Sequence, residues 1–530
     1  MISESTSQHD GLPGPLATRW WDIVAWTSAA GVIVWAWLTW QQALINKDGV
    51  RYVASAESVL AGDWSGALHA YPWPFHPILM AGVSFISGLS PEWSGYVLNL
   101  ACFFVVIVSF LAILRELGAT RPVLIFGAVL LLLHPDLNHT LPGIFRDQGY
   151  WAFYLLGLWA FLRFLRTGGP GDAVLTSLAL LMATLFRIEG LIILAALPLV
   201  TLVDRRHPWR VRLFRFGKAV ALPFGGVIIV VIIVVLDAGD TGTVVETRLH
   251  EPFERGQQLL RQFQEDLPQR AEQLTDAVLS RHSAHQSFGA LLAVYGYILI
   301  ASAWRGVNWL YLVLGVTGFV LARQRMSRPG RVALYWLAIV NVLLFAAFVL
   351  QEQFLSHRYV VGLTFIVMAF AAFALPRLRE TADALNATWK MKAVFLVPMG
   401  FLVIVGLDGL ITTGAPAVHE RDAGRWLAAH VPADRNVFIQ SMRVTYYAAR
   451  PYQTGRDLHW SEVRNVIETG DWQGYDYLAL TVGHRDLDRI DWLRAHLNCE
   501  PEQASRNRRG AAVLIYDTRQ CAPASEESSR

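Results

Sequence analysis

Long apolar runs separated by short charged or proline-rich breaks organise this chain. The first run covers 20–45, with Arg19 on its N-terminal side. Others follow at 78–89, 97–114, 123–134, 150–165, 173–186, 191–203 and 219–236. After a polar stretch they resume at 288–303, 309–322, 332–350, 360–376 and 393–411. Helices apolar on all sides read as membrane segments rather than as faces of a soluble core. Several of these runs hold only about twelve to sixteen residues, short of the roughly twenty that cross a bilayer. If the polar loops around residues 48 and 147 share one side, three runs between them are one too many. The pattern therefore predicts re-entrant or interfacial pieces at 78–89 and 288–303, and about eleven to thirteen membrane segments in all.

Between the first two runs lies Asn46-Lys47-Asp48-Gly49-Val50-Arg51-Tyr52. Val53, Ala56 and Leu60 fall on one helical face, which predicts an amphipathic helix over 51–61 lying along the membrane surface. Gly62-Asp63-Trp64 ends it and sets an aromatic ring at headgroup depth. The stretch Tyr71-Pro72-Trp73-Pro74-Phe75-His76-Pro77 cannot be helix interior. After residue 413 the periodicity changes. Strands are expected at 436–440, 475–481 and 512–516, and helices at 419–430, 460–469 and 486–497. The chain thus divides into a mainly α, polytopic transmembrane helix bundle over 1–415 and a small soluble α/β domain over 416–530. Loops at 46–76, 135–149, 237–287 and 351–358 belong to one face of the bundle. The third carries apolar spacing at Leu259, Leu260 and Phe263, which predicts one or two helices there. No repeat of fixed period is visible.

Composition agrees. Of 530 residues, 54% are hydrophobic and 16% charged, where soluble domains carry about 25% charged residues. The net charge is only +3, and the cations gather between apolar runs, which excludes a nucleic-acid partner as the default reading. Basic clusters at 204–212, 323–328 and 377–392, with Arg115, Arg121, Arg163 and Arg166, orient those loops to the cytoplasm. The loops around Asp48 and Asp147, the 237–286 loop and the tail then face the other side, the periplasm in a bacterium. The expected location is the inner (plasma) membrane. The first eighteen residues carry no Lys or Arg, so the first run reads as a retained span, not a cleaved signal. Three cysteines exclude a disulfide framework or a cysteine-rich metal site. Cys499 and Cys521, both in the outer tail, are expected to pair.

Charged groups on the outer loops are the candidates for chemistry. Asp48 stands beside Arg51 and Tyr52, and Asp147 beside Arg146 and Tyr150. Either acid could equally serve as a cap or turn residue. Arg187-Ile188-Glu189-Gly190 interrupts an apolar hairpin, at an insertion cost of about 2.5–3.5 kcal/mol if Arg187 lies deep. Arg187 is then either a phosphate ligand or the partner of Glu189. Arg358-Tyr359 opens a late apolar run, as a phosphate contact or a snorkelling interfacial arginine. His76 follows the Pro-rich turn and could contact phosphate or acceptor. His134, His139, His282 and His285 form no firm ligand pattern. No cofactor is firmly implied, and a divalent cation, though possible, lacks a cluster of ligands.

Taken in order, these motifs resemble the membrane glycosyltransferases of the C-type fold (GT-C), nearest the protein O-mannosyltransferase and lipid A aminoarabinose transferase branch. The resemblance rests on Asp48-Gly49-Val50-Arg51-Tyr52, Gly62-Asp63-Trp64, His76-Pro77, Arg146-Asp147, Arg187 and Arg358-Tyr359, and covers most of 20–376. It implies a polyprenyl-phosphate sugar donor and transfer to a lipid, glycan or protein acceptor at the outer face. Asp48 is then the base and Asp147 the second acid. Arg51, Tyr52, His76, Arg146, Arg187, Glu189, Arg358 and Tyr359 would line the substrates. Two departures stand out: many relatives have two adjacent acids where this chain has Asp48-Gly49, and a double proline where it has Pro77-Ile78. A flippase for lipid-linked saccharides or an O-antigen ligase or polymerase are the competing readings. Interruptions confined to one face and the lack of a repeated half favour the transferase over the transporter.

Overall fold

The computed structural model describes residues 15–42, 44–236, 257, 261, 265–277, 281–384, 389–411, 417–451 and 456–521. The chain opens with α1 (Pro15–Gln42), α2 (Lys47–Leu60), α3 (Trp64–Ala70), α4 (Phe75–Ser87) and α5 (Pro91–Glu116). There follow α6 (Arg121–Leu132), α7 (Pro135–Thr140), α8 (Arg146–Thr167), α9 (Pro170–Phe186) and α10 (Glu189–Ala196). Long helices continue at Trp209–Leu236, Ser287–Val307, Arg328–Glu352, His357–Ala371 and Trp389–Leu410. Among the described residues, five helices are long and apolar enough to cross a membrane, and several shorter apolar ones accompany them. The protein is a multi-pass integral membrane protein.

Two sequence expectations change in detail. Residues 288–303 do not form a short re-entrant piece, because Ser287–Val307 is one uninterrupted helix of 21 residues. It stops at Asn308, whose φ of 66° leaves the helical region and whose side chain accepts a bond from Leu310 N to start the next helix. Helix α2 begins at Lys47 rather than Arg51, so Asp48 lies in its first turn and not in a loop. An acid there is favoured by the unpaired N–H groups of the helix start. Helix α4 has 13 residues, about 20 Å at 1.5 Å per residue, shorter than the roughly 30 Å hydrocarbon core. Leu259, Leu260 and Phe263 lie outside the described residues, as do 412–416 at the expected division of the chain. Beyond them a helix at Leu267–Ala277 is present.

The chain forms two compact units. One comprises Met1–Trp35, Leu100–Thr140 and Arg146–Leu410, the other Ala36–Asn99, Leu141–Phe145 and Ile411–Arg530. In the first, α8 lies directly on α9. A Cβ at Gly149 would fall 2.2 Å from the Phe186 ring, so only glycine permits that approach. The second unit holds a four-stranded sheet of order β1-β2-β4-β3, with β1 (Val437–Ile439), β2 (Tyr477–Val482), β3 (Gln503–Arg506) and β4 (Ala512–Asp517). β1 and β2 are parallel; the other pairs are antiparallel. β2 and β4 are the central strands, and alternate residues feed two cores: Leu478, Leu480, Leu514 and Tyr516 on one face, Ala479, Val513 and Ile515 on the other. Burial on both faces explains their nearly continuous apolar sequence. The expected strands and tail helices are present, while β3 and the helix Met442–Tyr447 are additions. Gln-Ala-Ser-Arg has little strand propensity and forms an edge strand only through pairing with β4. Cys499 and Cys521 form the expected disulfide, and Cys102 is a buried free thiol.

Candidate functional site

The charged residues chosen from the sequence fall into two groups, one in each unit. In the first unit the organiser is Arg187. It ends α9 in an extended conformation (φ −150°, ψ 132°), and α10 begins two residues later at Glu189. The break turns its guanidinium onto two carboxylates. Nη1 bonds Asp147 Oδ1, while Nε and Nη2 reach Glu189 at 3.2 and 2.5 Å. The Arg187 and Asp147 side chains are only 5% and 4% exposed. Arg358 Nη1 stands 3.6 Å from the other Asp147 oxygen, and its own side chain is 32% exposed. The Tyr359 ring lies under the Arg187 guanidinium at 4.1 Å, with Tyr150 at 5.8 Å. Arg146 lies near enough to Glu189 to act on its charge. The group therefore sets three cations against two anions, with Arg146 and Arg358 partly open to solvent. A cavity of about 50 Å³ borders it, walled by Tyr150, Asn341, Phe345, Phe348, Arg358 and Tyr359.

Of the two alternatives left open by the sequence, the structure contains the ion pair with Glu189. Arg187 does pair with Glu189, but it pairs equally with Asp147, 40 residues away. Asp147 is thus a buried, doubly contacted carboxylate that fixes the guanidinium. That distant partner could not be read from the spacing of the motif.

In the second unit the centre is the start of α2. Asn46 enters the helix extended and exchanges two bonds with Ile144: Nδ2 donates to its carbonyl at 3.0 Å, and Ile144 N donates to Oδ1 at 2.8 Å. Asn99 Nδ2 donates to the carbonyls of Gly143 and Phe145 at 3.0 and 3.2 Å. Its Oδ1 is left to accept from His76 Nε2 at 3.0 Å, which fixes the histidine tautomer. His76 is 1% exposed and packs edge-on to Tyr52 at 5.1 Å, while Tyr52 meets Tyr71 at 4.8 Å. The Arg51 guanidinium stacks over Tyr71 at 5.2 Å. Arg51, Tyr52 and His76 thus form one aromatic and basic group, with half-buried Asp48 in the turn ahead of it. The clamping asparagines, Asn46 and Asn99, escaped the sequence reading. A buried Asn within an apolar run was the available signal.

Gly49 explains one departure from the resembled pattern. A Cβ there would meet Asn46 Oδ1 at 2.8 Å, Ile45 Cγ1 at 3.0 Å and Ile144 Cβ at 3.2 Å. The strap 141–145 leaves no room for a second acid beside Asp48. Among the described residues no group of three or more His, Cys, Asp or Glu side chains is placed to hold a metal ion.

The fold is that of known membrane enzymes. ArnT from Cupriavidus metallidurans in its apo state superposes with a TM-score of 0.53 at 14% identity, covering 96% of this chain and 100% of that one. The same protein bound to undecaprenyl phosphate gives 0.52 at 14% identity, over 93% and 97% of the two chains. The apo oligosaccharyltransferase of Archaeoglobus fulgidus gives 0.53 at 12% identity, covering 87% of this chain and 69% of that one. No protein-family model matches the sequence, and no curated protein matches it. These likenesses show the GT-C architecture.

Proposed function

We propose that this GT-C-fold protein is a glycosyltransferase that moves a sugar from a polyprenyl-phosphate donor to a lipid, glycan or protein acceptor at the outer face of the plasma membrane. The observation that carries this reading is the cluster of buried Arg187 and Asp147 with half-buried Glu189 and Arg358 at a helix break, in a fold shared with a protein that binds undecaprenyl phosphate. Buried ions at such a break cost stability and are retained where they hold charge for use.

In the proposed reaction, Asp48 accepts the proton of an acceptor hydroxyl. The hydroxyl oxygen forms a bond to the anomeric carbon as the bond from that carbon to the phosphate oxygen breaks. The electron pair leaves on the phosphate, and direct displacement inverts the anomeric centre. Two features support a division of labour between the arginines. Arg187 spends its whole fork on Asp147 and Glu189, which suits a frame. Arg358, a third exposed, suits direct contact with the leaving phosphate. Asp147, buried between them, positions both.

The test is turnover of the purified protein with polyprenyl-phosphate sugars. Asp48→Asn should lower transfer by roughly 100-fold or more, the scale of general base catalysis, with folding and donor binding retained. Wild-type rates in Asp48→Asn would remove the base. Arg358→Ala should raise the donor KM, and Lys should restore it only in part. An unchanged donor KM would remove Arg358 from the phosphate site.

A further inference from the structure

Within the second unit, a cavity of about 760 Å³ opens between the pair α2–α3 and the helix Met442–Tyr447. Known ligand pockets span about 300–1,000 Å³. Its walls carry Arg51, Glu57, Asp63, His69, Tyr446 and Arg450, of which only Arg51 entered the site read from the sequence. With two arginines against two carboxylates, the formal charge of these walls is balanced.

The groups differ in how far they are already engaged. Arg450 donates to the backbone carbonyls of Val431, Pro432, Ala433 and Arg435 at 2.6–2.9 Å, so it serves as a brace for the wall. Asp63 accepts from Gly66 N at 2.8 Å and caps α3. Tyr446 donates its hydroxyl to Glu92 at 2.7 Å, which pins the ring at the cavity edge. Arg51 is different, because its buried Nε has no hydrogen-bond partner. Glu57 is desolvated on the cavity wall, which raises its carboxyl above the usual range. Arg51 and Glu57 thus bring a cation and a carboxyl to the walls of one cavity along with an imidazole and a fixed aromatic ring.

We propose that this cavity is a saccharide subsite that holds an uncharged, polyhydroxylated stretch of the acceptor. A phosphate or carboxylate ligand would meet Glu57 and Asp63, and a cationic one would meet Arg51 and Arg450. Vicinal hydroxyls suit both: they accept from a guanidinium, donate to a carboxylate, and leave an apolar ring face for Tyr446. The proposal rests on the glycosyltransferase reading, because a donor-side site has no need of a second sugar pocket.

The experiment uses the full chain in detergent and two independent measurements. Saturation-transfer NMR with maltotriose, chitotriose and mannotriose as uncharged probes, and glucose 6-phosphate as the anionic one, reads binding without donor. Transfer to acceptor extracted from the host envelope reads activity. The variants are Glu57→Ala with His69→Ala, and Ala54→Trp, which fills the cavity from α2 without adding charge; thermal unfolding checks that each folds. At least one uncharged trisaccharide should bind the wild type, and both variants should weaken it at least tenfold. The same variants should raise the acceptor KM at least tenfold while the donor KM stays within twofold. Binding of none of the trisaccharides, preference for glucose 6-phosphate, or an unchanged acceptor KM in folded variants would each overturn the subsite. Trisaccharide binding lost in the variants, in a protein that transfers no sugar, would instead overturn the enzymatic reading and leave the cavity as a saccharide site.

Discussion

Removing the Arg187 side chain tests whether the charged cluster is a three-body lock. Its guanidinium bonds Asp147 and Glu189 at once, and Asp147 is 4% exposed. In Arg187→Ala the nearest cation recorded for Asp147 is Arg358, at 3.6 Å. Breaking one member out of a buried ion group costs about 3–5 kcal/mol, because a charge is left desolvated. At about 2.1 cal/mol/K of unfolding entropy per residue, a chain of 530 residues shifts by roughly 1 °C per kcal/mol, so the unfolding midpoint should fall by about 3–5 °C. Arg187→Lys keeps the charge but cannot reach two carboxylates with a planar fork, so about half of that loss should remain. Compensation is the sharper arm. Were Arg187 and Glu189 an isolated pair, replacing both with neutral residues would restore stability. Here buried Asp147 would keep only the longer contact to Arg358, so Arg187→Leu with Glu189→Gln should remain unstable, and adding Asp147→Asn should recover most of the loss. The assay is tryptophan-fluorescence unfolding of the detergent-solubilised protein at fixed heating rate. Full recovery in the double variant, or wild-type stability in Arg187→Ala, would refute the lock.

Other expectations follow from the second unit. Gly49→Ala should destabilise it by about 1–3 kcal/mol through overpacking against Asn46, Ile45 and Ile144, read as a lower unfolding midpoint. Gly49→Asp should fare worse, without gaining a metal requirement in transfer assays. Reduction of Cys499–Cys521, which are 22 residues apart in sequence, should cost about 3 kcal/mol on the loop-closure model; non-reducing mass spectrometry should find the pair oxidised in native protein. Burial, aided by Arg443, holds the His419 imidazole below its usual 6.5, against the opposing pull of Glu420 and Asp422. Below that value the unfolded chain binds the extra proton, so stability should fall as pH drops from about 7 toward 5. His419→Gln should flatten that slope, and an unchanged slope would exclude His419 as its source.

The sequence by itself determined the polytopic helical class, because runs apolar on every face have no place in water. It also determined the α/β tail, whose central strands alternate residues into two cores, and the pairing of the only two cysteines in that tail. It marked Arg187 and Glu189 as costly, since charge in an apolar hairpin stands out whatever the fold. Only the tertiary structure decided their partner. Asp147 lies 40 residues before Arg187 and meets it through the contact of α8 on α9 that Gly149 permits. Long-range packing of this kind leaves no periodic trace in one chain. The strap 141–145 belongs to the same class: Asn46 and Asn99 hold it by backbone carbonyls, whose acceptors carry no residue signature. The weak strand β3 was equally hidden, because its pairing with β4, not its own composition, makes it a strand. Local propensity and hydropathy are written residue by residue, whereas the site is assembled from segments whose meeting depends on the whole fold.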